Sequence, residues 1–598
     1  MATRVAEPYR AMTSVRIGTP KRLRLAPQDL RTADATVAHE IASGYFSFGG
    51  KSVDARGRSP FQVHIGSRGW RSSLTGFSWL RHLRASNDPQ TPAEARALVD
   101  EFVALTHFEA DDPALEPMVT ARRLMSFLAH SPMLLYSAEP DFYQRFLAAL
   151  ARDANALSFA LSQNRARGVD RLHCATALLE FCICADLAAD TQTRATRLLT
   201  QELERQILPD GGHIGRNPQA LLHLLLDLAP LRQLFAAQGS RPPQALPGVI
   251  DRMTAMLRLL RHGDGSLARF NGMSATSSGE LATVFMHEAP LEAPLEAPQS
   301  GYQRLEAREG VLIVDVGPPS PRPYSRFAHA GALSFEYSRG SQCVVVNCGA
   351  PPIHHEAARE LARATAAHST LTLDDHSSCR IEPVDESGGG LVIEGPKIVS
   401  MQRRRSKGGQ IVQAAHDGYG RRFGLIHERA LALTDDGERL IGVDRLLPAR
   451  AGWGRQSASE YVLRFHLHPT VGARLNEERQ RVEITLPTGA KMLFEAPGLA
   501  PRVEESVFFA TPEGGSRKTL QIVVTGAPAP DGLSGVTGTY SVTVDNVSAV
   551  VEYIGLTPAS IGLYQVNFTV PSVPKGTYPL QITIAGQASN QPVITVGN

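Results

Sequence analysis

Residues 288–298 read EAPLEAPLEAP, a short proline-rich repeat that marks a change in the periodicity of the chain. Before the repeat, apolar residues recur at three- and four-residue spacing, which is typical of helices. After it, they tend to alternate with polar residues, which is typical of strands. Repeated prolines favour an extended segment with little packing, so we predict a linker over residues 288–300 between a helical half and a strand-rich half.

The first half contains six segments with helical periodicity, separated by turn sequences such as PDGG at 209–212. Many helices of this length joined by short loops favour a toroid or bundle. We therefore predict an N-terminal tail over residues 1–26 and an α/α toroid over residues 27–287. The predicted helices are 93–105, 119–130, 141–150, 172–187, 193–207 and 219–238.

The second half is predicted to be a large antiparallel β-sandwich over residues 301–528, since many strands follow one another without long helices between them. A second seam, GAPAP at 526–530, precedes a short stretch of strands and Pro, Gly and Ser turns. We predict a small immunoglobulin-like sandwich over residues 529–598, with a spacer or adhesive role. The main predicted strands are 311–316, 333–337, 343–347, 391–394, 440–444, 461–467, 482–486 and 520–525.

Composition excludes some function classes and leaves others open. The 598 residues include 61 basic and 59 acidic side chains, a formal charge of +2, which argues against a general nucleic-acid binder. No apolar run approaches the roughly 18 residues that span a bilayer, so we expect no membrane span. The six cysteines show no metal-binding spacing and are predicted to be buried thiols. The oligomeric state is not predicted.

The N-terminal residues predict where the protein resides. MATRVAEPYRAMTSVRIGTPKRLRLAP contains Arg and Lys but no apolar segment of the kind that secretory signals carry. We therefore expect a cytoplasmic protein. A wrongly assigned start codon would change this expectation to the periplasm or the cell envelope.

Four short strings appear in a fixed order along the chain. They are ILPDGGH at 207–213, HAGALSFE at 329–336, VVNCG at 345–349 and TAAHST at 365–370. Together they resemble the signatures of the heparinase II/III family of polysaccharide lyases, over roughly residues 27–526. The later stretch GLTPASIGLYQVNFTVP at 555–571 is similar to an immunoglobulin-like module of secreted acidobacterial proteins.

The resemblance implies cleavage of a uronic-acid polysaccharide by β-elimination. That reaction needs a base for the C5 proton, an acid for the leaving oxygen and a cation beside the carboxylate. By resemblance we take His213, His329 and His368 as catalytic candidates. The substrate-binding candidates are Arg123, Arg216, Asn217 and Tyr419; Tyr419 is also an alternative proton-transfer group. The predicted partner is an acidic polysaccharide.

The chain departs from the family pattern at two catalytic positions. Where the family has an Asn-His pair, residues 169–173 read VDRLH, and the family's tyrosine falls on Gln219-Ala220. A second hypothesis is therefore a catalytically degenerate glycan-binding or envelope-assembly protein on the same scaffold. Hydrolysis is a third possibility, but we find no convincing pair of carboxylates for it.

The resemblance also implies a structural zinc held by His329, His368 and two aspartates. Gly331 and Asn347 replace those aspartates here, and an amide is a poor zinc ligand. A distorted site using His354, His355 or His376 is the alternative. We predict no metal and no other cofactor.

Each candidate also has a structural interpretation. His213 would cap the helix after its loop, and Arg123 would form an interhelical salt bridge. His329 and His368 would be hydrogen-bonded histidines inside a sheet, and Tyr419 would belong to a turn. Two tryptophans, Trp70 and Trp79, either line a sugar-binding cleft or pack among helices.

Overall fold

The protein is described by a computed structural model covering residues 16–63, 67–105, 107–288, 292–352, 355–385, 389–449, 456–478, 480–512, 514–528, 540–556, 564–584, 587–589 and 591–596. Helices occupy most of the described part before residue 288. They are Ala35–Ala42, Arg68–Thr75, Leu80–Arg84, Thr91–Val103, Pro117–Leu135, Pro140–Ser162, Gly168–Cys184, Ala189–Gln206, Pro218–Ala237, Ala245–Leu259 and Ser278–His287. The short helices Glu356–Arg363 and Gly420–Phe423 follow in the second half.

Three helices form the centre of the helical half: Pro117–Leu135, Gly168–Cys184 and Pro218–Ala237. Proline in the first turn favours the start of the first and third, and the Asn217 side chain caps the third by accepting from Gln219 N. The middle helix is buried along almost its whole length. The middle and third helices begin beside the β-rich half, since Gly168 lies close to the Pro323 carbonyl and Gly272 lies close to both Asn217 and Phe327.

The β-rich half consists of stacked antiparallel sheets. The largest has nine strands, eight of them in the order Arg502–Phe508, Arg517–Gly526, Tyr461–Leu467, Gln342–Val346, Phe335–Arg339, Gly310–Asp315, Tyr302–Ala307 and Glu296–Ala297. Leu371–Leu373, the ninth, also pairs with Tyr461–Leu467. A four-stranded sheet contains Ile398–Ser406, Gly409–His416, Leu425–Thr434 and Leu440–Pro448. A three-stranded sheet contains Gly472–Asn476, Arg481–Thr485 and Lys491–Glu495.

The faces of these sheets pack against one another to form the second core. Strand Leu425–Thr434 buries alternate residues, so Leu431 and Leu433 point to the core and their neighbours do not. They meet Leu312 of the largest sheet and Ile484 of the three-stranded sheet in one apolar cluster. The prediction of a helical half followed by a β-rich half is therefore confirmed.

Strands continue beyond residue 540, in the order Tyr540–Val544, Val547–Ser548, Val550–Leu556, Tyr564–Thr569, Gly576–Ile584, Gln587–Ala588 and Val593–Val596. The toroid, the linker and the immunoglobulin-like module stay predictions. From residue 16 the predicted tail already packs on the helical half, since Ile17 is buried and bonds Asn155. At the linker's far end, strand Glu296–Ala297 pairs with Tyr302–Ala307, which places this part of 288–300 within the largest sheet.

Several smaller predictions can be compared with the structure. All six cysteines are free and buried, as predicted. Trp70 and Trp79 are fully buried and donate to the Phe46 and Leu74 carbonyls, which is the packing alternative. Helix Pro218–Ala237 is long and apolar enough for a membrane span, but 67% of its most apolar window is buried inside the fold.

Arg216 fastens the two halves together. Its backbone lies in the left-handed region, at φ 59°. Its guanidinium donates to Asp315 and to the carbonyls of Ser300 (2.7 Å), Gly301 (3.4 Å), Gly317 (3.4 Å) and Pro318 (2.8 Å). These acceptors account for all five guanidinium N–H groups. Arg216 is therefore fully engaged in holding the helical half to the largest sheet, and we call this contact the clamp.

We predict that Arg216→Met lowers the free energy of unfolding by about 3–5 kcal/mol, because it leaves the buried Asp315 carboxylate without its counter-charge. Arg322→Met is the matched control, since the Arg322 side chain is 56% exposed and its ion pair with Glu382 should contribute at most about 1 kcal/mol. Urea unfolding of both variants measures the difference. Equal, small losses would contradict the clamp.

Candidate active site

His213 lies at the end of a short loop that is closed by a bridge between Ile207 and His213. Its Nδ1 accepts the Gly215 N–H at 3.0 Å, so the proton is on Nε2, which donates to Oε1 of Gln206 at 3.0 Å. Burial lowers its pKa to about 3, so the imidazole is neutral at neutral pH. Both ring nitrogens are thus bonded within the protein, to the loop and to the preceding helix; Asn217 caps the helix that follows, so the capping alternative is wrong.

His329 and His368 lie side by side in the β-rich half. Nδ1 of His368 donates to the Ala364 carbonyl at 2.8 Å, so its Nε2 is the acceptor for Nδ1–H of His329 at 3.2 Å. Burial lowers the pKa of His368 to about 4, and burial with the neighbouring His368 lowers that of His329 well below its ordinary value. No described residue hydrogen-bonds Nε2 of His329, which therefore carries a lone pair.

A hydrogen-bonded chain connects this pair to Arg216. The backbone N–H of His329 lies 3.5 Å from Oδ1 of Asn271, whose amide nitrogen donates to Oδ2 of Asp315 at 3.2 Å. Asp315 in turn binds Arg216. The structure therefore brings His213, Arg216, Asn217, His329 and His368 to one boundary, between the helical and β-rich halves.

Arg123 and Tyr419 lie elsewhere. Arg123 is buried in the helical half and forms a two-pronged salt bridge with Asp153 at 2.7 and 3.1 Å, which is the interhelical alternative. Tyr419 is buried in the β-rich half and donates its hydroxyl to the Leu371 carbonyl at 2.7 Å. Their roles in substrate binding stay predictions, as do the catalytic roles of the three histidines.

A second polar cluster, which the sequence analysis missed, occupies the centre of the three central helices. Asp227 accepts from Arg31 at 2.6 Å, from Arg122 at 2.7 and 2.8 Å, and from Nδ1 of His173 at 2.7 Å. Burial would raise the pKa of Asp227, but Arg122 and Arg31 hold it well below the ordinary value. The carboxylate is ionised and ties together the N-terminal segment and all three helices.

Two half-buried groups lie around this cluster on the side of the β-rich half. Asp170, one helical turn before His173, is 28% exposed in its side chain and lies 3.6 Å from Arg326. Burial raises its pKa. His223, one turn before Asp227, has no hydrogen-bond partner among the described residues, and burial followed by Arg31 lowers its pKa to about 3. His223 is therefore a neutral imidazole at neutral pH, and the pKa of the Asp170 carboxyl lies above its ordinary value.

Comparisons with known proteins identify the second half. Residues 289–545 match the family model described as Heparinase II/III-like, C-terminal. This half contains a heparinase II/III-like C-terminal domain. The whole fold resembles solved heparinases: heparinase III at TM-score 0.65, with 12% identity over 98% of this chain and 94% of that chain. Heparan sulfate lyase HepC from Pedobacter heparinus follows at TM-score 0.56, with 14% identity over 95% of this chain and 92% of that chain.

A curated relative covers both halves as well. FtsZ-localized protein C of Caulobacter vibrioides is 28% identical over 530 residues, which are 86% of this chain and 89% of that protein. At 12–14% identity the heparinase likenesses show the fold alone. The heparinase-like architecture therefore extends over both halves, while the chemistry has to be argued from the residues.

The heparinase family's zinc does not fit the residues present. Asn347 stands where the family has an aspartate; its Oδ1 already accepts from Ser369 N, and its amide nitrogen is buried without a partner. A Cβ at Gly331 would meet the His368 ring at 2.7 Å, so the ring occupies the space of the second aspartate. Within the described ranges, no three His, Cys, Asp or Glu side chains are grouped to hold a metal. The absence of zinc stays a prediction.

The pH dependence of stability tests the neutral state of His368. A folded-state pKa of about 4 lies below the roughly 6.5 of an unfolded histidine, so the unfolded chain binds more protons between those values. The contribution of His368 is complete above about pH 6.5 and is lost as pH falls towards 4, by up to about 1.4 kcal/mol per pH unit.

Urea unfolding between pH 4 and 7 measures this slope. We expect His368→Gln to reduce it, whereas the exposed-site variant His39→Gln leaves it unchanged. An identical slope in His368→Gln and the unaltered protein would show that His368 is not held neutral.

Proposed function

We propose that the protein is a polysaccharide lyase that cleaves an acidic, uronic-acid polysaccharide by β-elimination, at the boundary between an α/α toroid and a β-sandwich. The supporting observation is that Asp170 and His223 flank the bonded His173 and Asp227, Asp170 one turn before His173 and His223 one turn before Asp227. Burial raises the pKa of the Asp170 carboxyl and lowers that of the His223 imidazole to about 3, which favours Asp170 as the proton donor and His223 as the proton acceptor. Both are half-buried, so substrate can reach them.

The proposed reaction uses these two groups and one cation. His223 takes the C5 proton, the C5–H electron pair forms the C4–C5 double bond, and the C4–O bond breaks. Asp170 gives its proton to the leaving oxygen. Arg326 pairs with the uronate carboxylate, which stabilises the enediolate that develops as the proton leaves.

The surrounding structure supports an anionic substrate here. Helices Gly168–Cys184 and Pro218–Ala237 both begin at this boundary, and helix N-termini favour negative charge. Next to these two groups, His173 donates its Nδ1 proton to Asp227, and this hydrogen bond holds the ring in one orientation. A bound carboxylate close to His223 would raise the pKa of that imidazole and make it a stronger base.

Absorbance of the conjugated C4–C5 double bond tests the proposal during incubation with heparan sulfate, chondroitin, hyaluronan and alginate. We expect an absorbance rise with at least one polymer and a loss of about 100-fold or more in rate for His223→Ala and Asp170→Asn. The matched control is His39→Ala, which replaces an exposed histidine that is distant in sequence from Asp170 and His223. This variant should keep the rate of the unaltered protein.

The same assay separates the two histidine clusters. If His329→Ala removes activity while His223→Ala keeps it, the base is His329, whose Nε2 also carries a lone pair. If the folded protein produces no absorbance rise with any polymer, the lyase proposal is wrong.

A second candidate function is glycan binding or envelope assembly without cleavage. Two observations favour it. Arg123 and Arg216 already form salt bridges with carboxylates of the protein, and Ala220 lies where the family's tyrosine would fall. The relative's name, FtsZ-localized protein C, describes a location and no reaction. Glycan binding in affinity electrophoresis without an absorbance rise would favour this function. Cell fractionation would test the predicted cytoplasmic location against the envelope.

A further inference from the structure

The strand Ile398–Ser406 forms one edge of the four-stranded sheet and is exposed along almost its whole length. Among the described strands it pairs only with Gly409–His416, to which a two-residue turn connects it. Such an edge presents a row of backbone N–H and C=O groups that another extended segment can bind. The strand has nine residues, which is long enough for pairing over several of them.

The turn determines which backbone groups of this edge are free. Ser406 and Gly409 flank the turn and form the hydrogen-bonded pair that closes the hairpin. Hydrogen-bonded and non-hydrogen-bonded pairs alternate along an antiparallel ladder, so the backbone groups of Met401, Arg403 and Arg405 point away from the sheet. Outside the ladder, no described residue hydrogen-bonds these groups.

The side chains along this edge are strongly basic. Residues 397–407 read KIVSMQRRRSK, with five basic and no acidic side chains. The Arg405 side chain is 76% exposed, and its ion pair with Asp435 is loose at 3.5 Å. Lys407, in the turn, is exposed and forms no ion pair with a described residue. Available cations therefore lie beside the free backbone groups.

The edge also has an apolar part. Met401 is exposed and lies on the same face of the strand as Arg405, and the exposed Val399 is close to it at a bulge. Met401 lies opposite Ala414, which is buried, so the core of the β-rich half ends between these two residues. One face of the edge thus offers an apolar surface and, four residues further on, a cation.

These features favour one kind of partner over others. Pairing with the same edge of a second copy would bring five cations against five, which opposes association. A nucleic acid or an anionic membrane would use the charges but would leave the free backbone groups and Met401 without partners. An extended acidic peptide can use the charges, the backbone groups and the apolar surface together.

We propose that this edge binds an extended acidic segment of a partner protein, which adds a fifth strand to the sheet. Backbone hydrogen bonds to Met401, Arg403 and Arg405 provide affinity, and side-chain contacts provide selectivity. Acidic side chains of the partner meet Arg405 and Lys407, and an apolar side chain covers Met401. The surface is separate from the proposed glycan site and does not depend on lyase activity.

Fluorescence anisotropy of labelled peptides with the full chain tests this surface. In the peptide EEETTVTV, paired antiparallel to the edge, a valine lies beside Met401 when a glutamate lies beside Arg405. We expect saturable binding of this peptide that weakens as salt is added. KKKTTVTV should not bind. EEETTPTP has the same charge but lacks two N–H groups, and it should bind at least about tenfold more weakly.

Variants of the protein locate the binding surface. Arg405→Gln should weaken EEETTVTV binding up to about fivefold, as for an exposed ion pair. Arg22→Gln is the matched control, because Arg22 is 67% exposed and has a similarly loose ion pair with Asp186 at 3.7 Å. Met401→Pro should abolish binding, since proline blocks the free edge and leaves the hairpin bonded. Met401→Thr keeps the N–H group and should still bind.

The outcomes separate the proposal from its alternatives. Equal binding of EEETTVTV and EEETTPTP, or unchanged binding by Met401→Pro, would show that charge alone attracts the peptide and would overturn strand pairing. Equal effects of Arg405→Gln and Arg22→Gln would overturn the location. Absence of EEETTVTV binding, with Arg405-dependent binding of anionic phospholipid vesicles, would overturn the peptide in favour of a membrane surface.

Discussion

The ionised Asp227 carboxylate, buried between Arg31, Arg122 and His173, is the interaction on which the helical half depends. A buried carboxylate is costly unless cations and hydrogen bonds surround it, so all three partners must be in place when the chain folds. They come from the N-terminal segment, from Pro117–Leu135 and from Gly168–Cys184. One residue thus aligns the three central helices, two of which carry Asp170 and His223 of the proposed active site near their N-terminal ends.

The second constraint is the clamp between the halves. Arg216 reaches the largest sheet through Asp315, and Asn271 carries the network on to His329. A heparinase-like fold can lose individual catalytic side chains and keep this architecture, because the clamp and the Asp227 cluster do not require the family's tyrosine. The scaffold and the chemistry are therefore separable in this protein, which is why the residues at the boundary decide the function.

The sequence predicted the order of elements well. Strands such as Tyr461–Leu467 contain alternating or consecutive apolar residues, and turn sequences mark their ends. It placed the helix Gly168–Cys184 four residues late, because a helix buried on all sides has no apolar face to mark its ends. The motif selected Arg123, yet Arg122 reaches Asp227. Consecutive helical residues point about 100° apart, and a sequence motif does not show which of the two arginines faces the centre of the helical half. His223 and Asp227 could have been found by their spacing of four.

Hydrogen–deuterium exchange of the full chain with a uronic-acid oligosaccharide, read by mass spectrometry, tests the location of the glycan site most directly. We expect protection at the start of Gly168–Cys184, at the start of Pro218–Ala237 and around Arg326, with no change at the far ends of the central helices. Binding that leaves these segments unprotected, or that protects only the β-rich half beyond residue 400, would contradict a glycan site at the boundary.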